Sequence, residues 1–492
     1  MKYKGTYFDM WDAWYMKANG KIHGFHLKSH PGDNWNVGHV VTDDLLHFKT
    51  CRDILTPFSE ETHPDDCKGK YTGSAYYDEK SGTAYVYYTM RDGNASEKIG
   101  LATSTDLVNF KEYEGNPVLT INEDLFIKDS KQSGATDCRD MFVLYDEASR
   151  LYFGYFAAMT EIDGRRVGAI GMAKSPDLIN WGEQSIVYTP SFGGVIEMPE
   201  VFKMGDKWYL TFLTGTGYGA KGAVDDPNLV KFTLYASSDS PLGPFVEEPG
   251  NLLIGGPSNS GYSCRTVLLG EKRYLMYIDK SDYGAAISLP KELRVCDGLL
   301  RPYYTDILKK IRTGKALAPT STDLEAVKTS FAWPTFDEGL TDSEGALKVE
   351  MNARSYETYI CKDFESCSIE CEAEIDADCR EAGLALETYD CSGNRVGCYT
   401  VSLNFDFGEL TVYREDDVAH PYSPHAKCLF SFERGEIYHT RVIAMEGQIE
   451  VYINNVLVLQ GNMQTADKIK PGIFCGNGSA TFKSVKFYEL EK

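Results

Sequence analysis

The sequence has no run of about 18 consecutive apolar residues, the length that a membrane-spanning helix requires. It also has no excess of positive charge, since 50 Lys and Arg residues stand against 72 Asp and Glu residues, a formal net charge of −22. Such a chain repels phosphate backbones and anionic headgroups, so we expect neither nucleic acid nor a membrane as a partner. The first residues lack the basic and then apolar segments of a signal peptide, which favours a cytoplasmic protein.

The 13 cysteines include no Cys-x-x-Cys pair, which favours reduced, mostly buried thiols over disulfides. The histidines of the N-terminal region match no standard set of metal ligands; they are His23, His26, His30, His39, His47 and His63. We therefore predict no metal site.

What the sequence does contain is 32 tyrosines and 45 glycines, a usage that suits strands and turns. A chain of 492 residues is too long for one ordinary core, so two domains are expected. Composition and length together indicate an all-β protein with more than one domain.

A motif of the form Ser/Thr-x-Asp recurs four times: "TDDLLHF" from Thr42, "STDLVNF" from Ser104, "SPDLINW" from Ser175 and a looser "SSDSPLGPF" from Ser237. An aromatic, alternating run precedes each copy, and a fifth such run, "KRYLMYI", begins at Lys272. Five units of short strands predict a five-bladed β-propeller over residues 1–300. Because Asp44, Asp106, Asp177 and Asp239 recur in every turn, we expect them to close turns rather than to act in catalysis.

Two further segments follow the repeats. Apolar residues at helical spacing near 304–311 predict a linker with a short helix over residues 301–335. From residue 336 to residue 492, alternating runs such as "CSIECEAEI" and "GELTVYR" are typical of an antiparallel β-sandwich.

Three acids precede the aromatic runs at nearly the same distance, namely Asp12, Asp140 and Glu197. Equivalent positions of propeller blades converge on one central cavity, so these carboxylates are expected to meet there. The same count gives Ser74 in the second repeat and a residue near Ser263 in the fifth.

Neighbouring acids fit this alignment less well. Glu200 and Asp137 lie three residues from Glu197 and Asp140, and an offset of three reverses the facing in a regular strand. We therefore expect at most one acid of each pair to reach the cavity.

Clustered acids among aromatic residues suit glycoside cleavage, in which one carboxylate attacks or activates water and another acid protonates the leaving oxygen. The alternative is that each acid merely accepts backbone hydrogen bonds in a turn. Register across three repeats favours the catalytic interpretation.

Several motifs resemble those of glycoside hydrolase family 32, the β-fructosidases. They are "WDAW" at 11–14, "CRDM" at 138–141, "IEMPEVF" at 196–202 and "LPKELRVCDGLLRPY" at 289–303, with supporting matches from Asn36 and Tyr71. The resemblance covers nearly the whole chain and implies the propeller and sandwich fold.

The resemblance also implies roles for the three acids. Asp12 would be the nucleophile of a retaining mechanism, Asp140 a transition-state stabiliser beside Arg139, and Glu197 the general acid/base. The implied substrate is a small saccharide with a terminal β-fructosyl residue, such as sucrose or a short fructo-oligosaccharide. The implied reaction requires no metal and no organic cofactor.

Five residues are expected to contact this substrate. Trp35, Ser74 and Arg139 match positions that line the family's fructosyl pocket, and Lys28 stands where the family places a glutamine. Trp14 belongs to a Trp-Asp-x-Trp motif that is closer to the related levansucrases than to the Asn-Asp-Pro-Asn-Gly of family 32.

Two other functions stay open at this point. The first is an inverting arabinofuranosidase or xylosidase with Asp12 as base, and the second is a carbohydrate-binding protein without catalytic activity. The sandwich is expected to be structural, with sugar binding or homodimer formation as its alternatives.

Overall fold

A computed structural model of the protein describes residues 3–5, 9–29, 35–55, 64–66, 68–128, 137–224, 226, 229–256, 261–281, 284–327, 339–351, 356–415, 424–464 and 466–491. Strands dominate these residues, and the helices among them are three short 3-10 helices, Thr216–Tyr218, Asp306–Ile311 and Ser321–Asp323. No helix in this part of the chain is long and apolar enough to cross a membrane. The predicted all-β class is confirmed.

The chain divides into two compact units. The first unit is drawn from residues 2–280 and 284–302, and the second unit comes mainly from residues 303–492.

Four antiparallel sheets of four strands each follow one another in the first unit. Their strands are β1 (Asp9–Ala18), β2 (Lys21–Ser29), β3 (Asn36–Thr42), β4 (Lys49–Thr50), β5 (Gly69–Asp78), β6 (Thr83–Arg91), β7 (Glu97–Ser104), β8 (Lys111–Glu112), β9 (Cys138–Asp146), β10 (Leu151–Ile162), β11 (Arg165–Ser175), β12 (Gln184–Tyr188), β13 (Glu197–Met204), β14 (Lys207–Gly215), β15 (Lys231–Ser238) and β16 (Val246–Gly256). The aromatic runs form the second strand of each sheet, as predicted. This repeated meander is a propeller-like arrangement.

The fifth repeat is paired differently from the first four, so the structure has four separate four-stranded sheets and not the five predicted. Its strands are β17 (Tyr262–Leu269), β18 (Lys272–Ser281), β19 (Gly284–Ile287), β20 (Lys291–Cys296) and β21 (Leu299–Tyr303). Strand β18 pairs with β17 along one edge, and β19 and β20 share its other edge. The start of the chain joins this group, because Lys4 forms an antiparallel bridge with Ala286 of β19.

The first strands of the repeats lie side by side. Contacts run from β1 to β5, from β5 to β9 and from β9 to β13, and β17 contacts β1. The remaining neighbours, β13 and β17, are joined by a hydrogen bond from Arg265 to the carbonyl oxygen of Met198 at 2.9 Å. The first strands therefore form a closed ring.

The repeated Ser/Thr-x-Asp motif closes the turn after the third strand. Asp44, Asp106 and Asp177 each accept hydrogen bonds from the backbone N–H groups two and three residues further along, at 2.7 to 3.0 Å. The structural role predicted for these three aspartates is confirmed. Asp239 differs, because it pairs with a lysine of β14 at 2.8 Å while Ser240 accepts the turn hydrogen bond at 3.1 Å.

The second unit consists of antiparallel strands packed around one apolar cluster. They are β22 (Arg312–Leu317), β23 (Leu324–Val327), β24 (Leu340–Ser343), β25 (Ala346–Glu350), β26 (Tyr356–Cys361), β27 (Ser368–Tyr389), β28 (Arg395–Asn404), β29 (Glu409–Glu415), β30 (Pro424–Leu429), β31 (Ile437–Met445), β32 (Gln448–Ile453), β33 (Val456–Asn462) and β34 (Lys468–Leu490). Within the segment predicted as a linker, the helix is of the 3-10 type, and β22 and β23 pair with β34 and β26. The described part of this segment is thus built into the second unit.

A β-bulge occurs at the same place in the first strand of every repeat. The register of β1 against β2 shifts by one residue at Asp12. The equivalent shifts in β5, β9, β13 and β17 fall at Thr72, Asp140, Met198 and Ser263. We call these five the bulge residues. Four of them have a left-handed backbone, with φ of 34° at Asp12, 58° at Asp140, 53° at Met198 and 57° at Ser263.

Close strand packing beside a bulge predicts the effect of a substitution at Gly73. A Cβ atom at Gly73 would lie 2.0 Å from the carbonyl oxygen of Tyr87 in the paired strand. We expect Gly73→Ala to lower the free energy of unfolding by about 1–3 kcal/mol, the usual cost of overpacking. At Gly217 the added Cβ meets nothing within 4 Å, so Gly217→Ala is the matched control. Equal unfolding midpoints in denaturant for both variants would contradict this packing.

Candidate active site

One cavity of about 680 Å³ in the first unit is lined by the bulge residues Asp12, Thr72 and Asp140. Its wall also carries three more carboxylates and three guanidinium groups, from Glu97, Asp137, Glu197, Arg91, Arg139 and Arg166. The three acids that the sequence pointed to thus line the same cavity. The bulges bring them there, because a bulge redirects side chains at the edge of a strand.

Hydroxyl groups from two neighbouring first strands hold the Asp12 carboxylate. Thr72 Oγ1 donates to one carboxylate oxygen and Ser263 Oγ donates to the other. Burial raises the pKa of Asp12, and the two hydroxyl donors act in the opposite direction because they stabilise its ionised form. Both oxygens of this carboxylate are therefore held in a fixed orientation.

Asp140 is buried and bonded through both its backbone and its side chain. Its N–H donates to Thr89 Oγ1 at 2.9 Å, and its Oδ2 accepts from the N–H of Met198 at 3.0 Å. Burial raises the pKa of Asp140 well above its ordinary value, while the neighbouring Arg139 acts to lower it. Asp140 therefore links the bulges of the third and fourth repeats.

Glu197 and Glu200 are separated as expected. Glu197 lines the cavity, whereas Glu200 is buried and accepts hydrogen bonds from Thr266 N at 2.9 Å and Thr266 Oγ1 at 2.6 Å. The corresponding expectation for Asp137 and Asp140 is wrong, because both line the cavity. The bulge at Asp140 interrupts the alternation on which that expectation relied.

Arg139 is surrounded by four carboxylates. Its Nη1 lies 3.1 Å from Asp137 and 3.2 Å from Glu97, its Nη2 lies 3.3 Å from Glu197, and its Nε lies 3.9 Å from Asp140. Although burial acts in the opposite direction, these acids raise the pKa of Arg139 well above its ordinary value. One permanently charged guanidinium therefore holds two of the three candidate catalytic acids.

Two lysines lie against the Trp11 ring beside the bulge of β1. Lys280 Nζ lies 3.3 Å from the ring centroid and Lys231 Nζ lies 5.6 Å from it. Lys280 also pairs with Asp9 at 3.1 Å. Burial lowers the pKa of both lysines, and Asp12 acts to raise it, so both ammonium groups are within electrostatic reach of Asp12.

The alignment of the repeats needs two corrections. Thr72, not Ser74, is the equivalent of Asp12 in the second repeat, and the Oγ of Ser74 is buried without a hydrogen-bond partner among the described residues. Glu197 stands one residue before the bulge of β13, level with Arg139 in β9. A count back from the aromatic runs misses Thr72 because the hairpin loop between β5 and β6 has four residues, whereas the loop between β1 and β2 has two. It misplaces Glu197 by one residue because Trp208 is the second residue of its strand and His23 the third of its own.

Three predicted substrate contacts lie elsewhere in the structure. Trp14 is 1% exposed and belongs to the apolar core, with its ring centroid 6.2 Å from that of Phe25. Lys28 Nζ pairs with Asp53 at 2.9 Å, and Trp35 packs against the same apolar core. None of the three lines the cavity described here. Trp14 lies two residues beyond Asp12, and the bulge turns it to the packed side of the sheet.

Sequence reasoning missed Thr72, Glu97 and Asp137 as cavity residues, and it placed Ser263 only approximately. Thr72 and Ser263 could have been found by aligning the first strands of the repeats with hairpin loops of two or four residues allowed. Glu97 begins β7, a third strand, so no comparison of first strands could have found it.

Three of the N-terminal histidines, His23, His26 and His39, are buried in the first sheet. His23 Nδ1 lies 2.9 Å from His39 Nε2, and His39 stacks on Phe25 with centroids 4.9 Å apart. Burial lowers the pKa of His26 and of His39 to about 4, so both are neutral at physiological pH. No set of three or more His, Cys, Asp or Glu side chains in the described ranges could hold a metal ion. His30 and His63 lie outside those ranges.

Comparison with known proteins gives a family and a relative. Residues 14–241 match the family model of the glycosyl hydrolases family 32 N-terminal domain. The sucrose-6-phosphate hydrolase of Streptococcus mutans is 26% identical to this chain over 328 residues. That match covers 60% of this chain and 62% of the relative, less than two thirds of its length.

Solved structures share the fold over nearly the whole chain. The exo-inulinase of Aspergillus awamori superposes with a TM-score of 0.70 at 14% identity, covering 100% of this chain and 98% of that one. The β-fructofuranosidase of Bombyx mori, a mutant in complex with sucrose, gives 0.68 at 16% identity, covering 99% and 94%. The sucrose-6-phosphate hydrolase of Lactobacillus gasseri gives 0.68 at 14% identity, covering 100% and 93%.

At identities of 14–16%, the structural similarity shows only that the fold is shared. The family model matches the part of the sequence that contains Asp140 and Glu197. The two findings agree with each other and with the motifs of the cavity strands. Residues 14–241 of the chain thus carry a glycosyl hydrolases family 32 N-terminal domain.

Proposed function

We propose that the protein is a retaining β-fructosidase that cleaves terminal β-fructosyl residues from sucrose or short fructo-oligosaccharides. The observation that carries this proposal is the single cavity lined by Asp12, Asp140 and Glu197. Its volume of about 680 Å³ suits a small saccharide. The match of residues 14–241 to the family 32 domain supports the same reaction class.

Asp12 is the nucleophile in this proposal. Each oxygen of an ionised carboxylate has two acceptor sites, so both can accept a hydroxyl hydrogen bond while one attacks the anomeric carbon. The donors Thr72 and Ser263 counter the burial that raises the pKa of Asp12. They thereby favour the ionised form that nucleophilic attack requires.

Glu197 is the general acid and base. In the first step it protonates the leaving oxygen while the bond between Asp12 and the anomeric carbon forms and the glycosidic bond breaks. In the second step the Glu197 carboxylate takes a proton from water, and that water releases fructose from Asp12 with net retention of configuration. Its neighbour Arg139 lies 3.3 Å away and holds the carboxyl group in the cavity.

Asp140 is the stabiliser of the transition state. Its Oδ2 accepts the N–H of Met198, so its orientation is fixed before a sugar binds. A carboxyl group held in this way can bond to sugar hydroxyls and strengthen those bonds as positive charge develops on the ring.

The finer fold also belongs to this proposal. We assign the fifth repeat as the fifth blade of a propeller over about residues 1–300, with the start of the chain supplying its outer strand. The bridge from Lys4 to Ala286 and the contact between β17 and β1 support this assignment. Residues 336–492 are assigned as the β-sandwich.

A phosphorylated disaccharide is a second candidate substrate. Lys231 and Lys280 lie against Trp11 within electrostatic reach of Asp12, where an anionic substituent of the substrate would meet two ammonium groups. Two proteins similar to this chain are sucrose-6-phosphate hydrolases.

The first test concerns the two reacting acids. We expect Asp12→Asn and Glu197→Gln each to lower kcat for sucrose or 1-kestose at least about 10³-fold, because each removes an obligatory group. Fructose release is measured for both variants and for Glu200→Gln, which alters a buried acid outside the cavity. Full activity in both of the first two variants would show that the proposed site is wrong.

The second test uses stability to examine Asp140. The pKa of Asp140 is raised by burial in the folded protein. The native state is therefore most favoured while Asp140 is protonated, and this stabilisation is lost as the pH rises above about 4. Asp140→Asn imitates the neutral form. We therefore expect it to unfold at a higher temperature than wild type at pH 7.5, by roughly 2–4 °C, with a smaller difference near pH 4.

The control for this test is Asp106→Asn. Hydrogen bonds from its own turn lower the pKa of Asp106, so the sign is reversed and this variant should be less stable than wild type at pH 7.5. Thermal unfolding curves at both pH values decide the matter. If Asp140→Asn were less stable than wild type at every pH, the buried charge of Asp140 would not destabilise the folded protein as predicted.

The third test separates the two substrates. Lys231→Met should raise KM for sucrose 6-phosphate about 10- to 100-fold, the equivalent of about 1.5–3 kcal/mol for a lost bond to a charged group. KM for sucrose should change little. Lys207→Met, which removes an exposed lysine paired with Asp239, is the control. If Lys231→Met left the ratio of the two KM values unchanged, Lys231 would not bind the phosphate group of a phosphorylated substrate.

A further inference from the structure

Glu97 is a cavity carboxylate for which the reaction proposed above has no direct use. It is the first residue of β7 and lies opposite Arg91 of β6 in the antiparallel register. Its side chain is 14% exposed, and its Oε2 accepts a hydrogen bond from Arg139 Nη1 at 3.2 Å. Glu97, on the third strand of the second repeat, thus contacts Arg139, on the first strand of the third repeat.

The contacts of Arg139 fall on two sides of its guanidinium. Nη1 bonds to Glu97 and Asp137, while Nη2 lies 3.3 Å from Glu197 and Nε lies 3.9 Å from Asp140. A guanidinium is planar and its donors have fixed directions. Holding Nη1 therefore determines where Nη2 and Nε point.

The two acids that hold Nη1 are not equivalent. Asp137 is also paired with Arg166, whose Nη2 lies 3.6 Å from its second carboxylate oxygen. The bond from Glu97 therefore supplies an anchor on β7, a strand different from the one that carries Arg139. Burial raises the pKa of Glu97, and Arg139 is the strongest influence in the opposite direction.

We propose that Glu97 is a positioning residue that anchors Arg139, so that the guanidinium stays against Glu197 while this carboxyl alternates between acid and base. The inference rests on the proposed function and names a residue outside the three catalytic acids. The other charged or titratable groups around Arg139 and Glu197 are Arg91, Asp137, Asp140, Arg166, Asp12, Lys231, Tyr71 and Tyr218.

The role predicts the direction of a pH effect. An ionised Glu97 offsets part of the positive charge that Arg139 presents to Glu197. In Glu97→Gln the amide oxygen can still accept from Nη1, but this offset is lost, so the cavity becomes more positive. A more positive cavity loses the proton that the reaction needs at lower pH, and activity above the optimum falls earlier.

The experiment compares the pH dependence of kcat/KM for sucrose in wild type, Glu97→Gln, Glu97→Ala and Asp65→Asn. We expect the basic limb of Glu97→Gln to move to lower pH by about 1–2 units, as for two charges roughly 6–12 Å apart at an effective dielectric near 20. Glu97→Ala also loses the anchor, so its kcat should fall at least about tenfold while KM changes less. Asp65→Asn removes the partner of Lys98, 2.6 Å away on β7, and should match wild type.

Thermal unfolding shows whether each variant is folded. Folded Glu97 variants with the wild-type pH profile and kcat would overturn the inference, as would a loss of activity with no shift of the basic limb in Glu97→Gln. If wild type released no fructose from any fructoside, or if Glu197→Gln kept full activity, the proposed function itself would fail whatever the Glu97 variants do.

Discussion

The β-bulge in each first strand is the constraint on which the site depends. A regular strand alternates its side chains between two faces, so it presents only every second residue to the centre of the ring. At the bulge an extra residue takes a left-handed backbone, as at Asp12, Asp140 and Ser263, and its side chain leaves the alternating pattern. Because the bulges recur at the same level, the residues that they redirect converge.

The first strands bring many charged side chains into one small cavity. Hydrogen bonds between neighbouring repeats partly offset the cost of burying these charges. Thr72 and Ser263 reach Asp12 from its two neighbouring strands, and the backbone of Met198 reaches Asp140 from the next one. Each bond joins two first strands, so the contacts that orient the acids also tie the ring together. The buried carboxylates still oppose folding at neutral pH, and the apolar cores between the sheets have to offset that cost.

The sequence predicted what depends on local pattern. The aromatic runs became second strands, and Asp44, Asp106 and Asp177 close their turns, because both features are determined by residues close together in the chain. The cavity acids Asp12, Asp140 and Glu197 were found for the same reason. Predictions failed where the length of a hairpin loop or a bulge decides the outcome: Ser74 was chosen instead of Thr72, and Trp14 was assigned to substrate although it packs in the core.

The fifth repeat and Glu97 show a different limit. The residue that bridges to β19, Lys4, comes from the start of the chain, hundreds of residues away, and no pattern within the repeat predicts this pairing. Glu97 reaches Arg139 from a strand whose sequence is otherwise that of an ordinary third strand. Contacts of this kind are properties of the closed ring, so they follow from the fold and not from any short motif.

Trapping the fructosyl-enzyme tests the central claim, that Asp12 attacks and Glu197 handles the protons. In Glu197→Gln, an activated donor such as β-fructofuranosyl fluoride needs no acid to leave, while the second step lacks its base. The account predicts that acid quenching and peptide mass spectrometry find one fructosyl group on the peptide that contains Asp12, and none when Asp12→Asn is added. A label on Asp140 or Glu200, or an active wild type whose Glu197→Gln variant turns this donor over without any labelled peptide, would contradict the account.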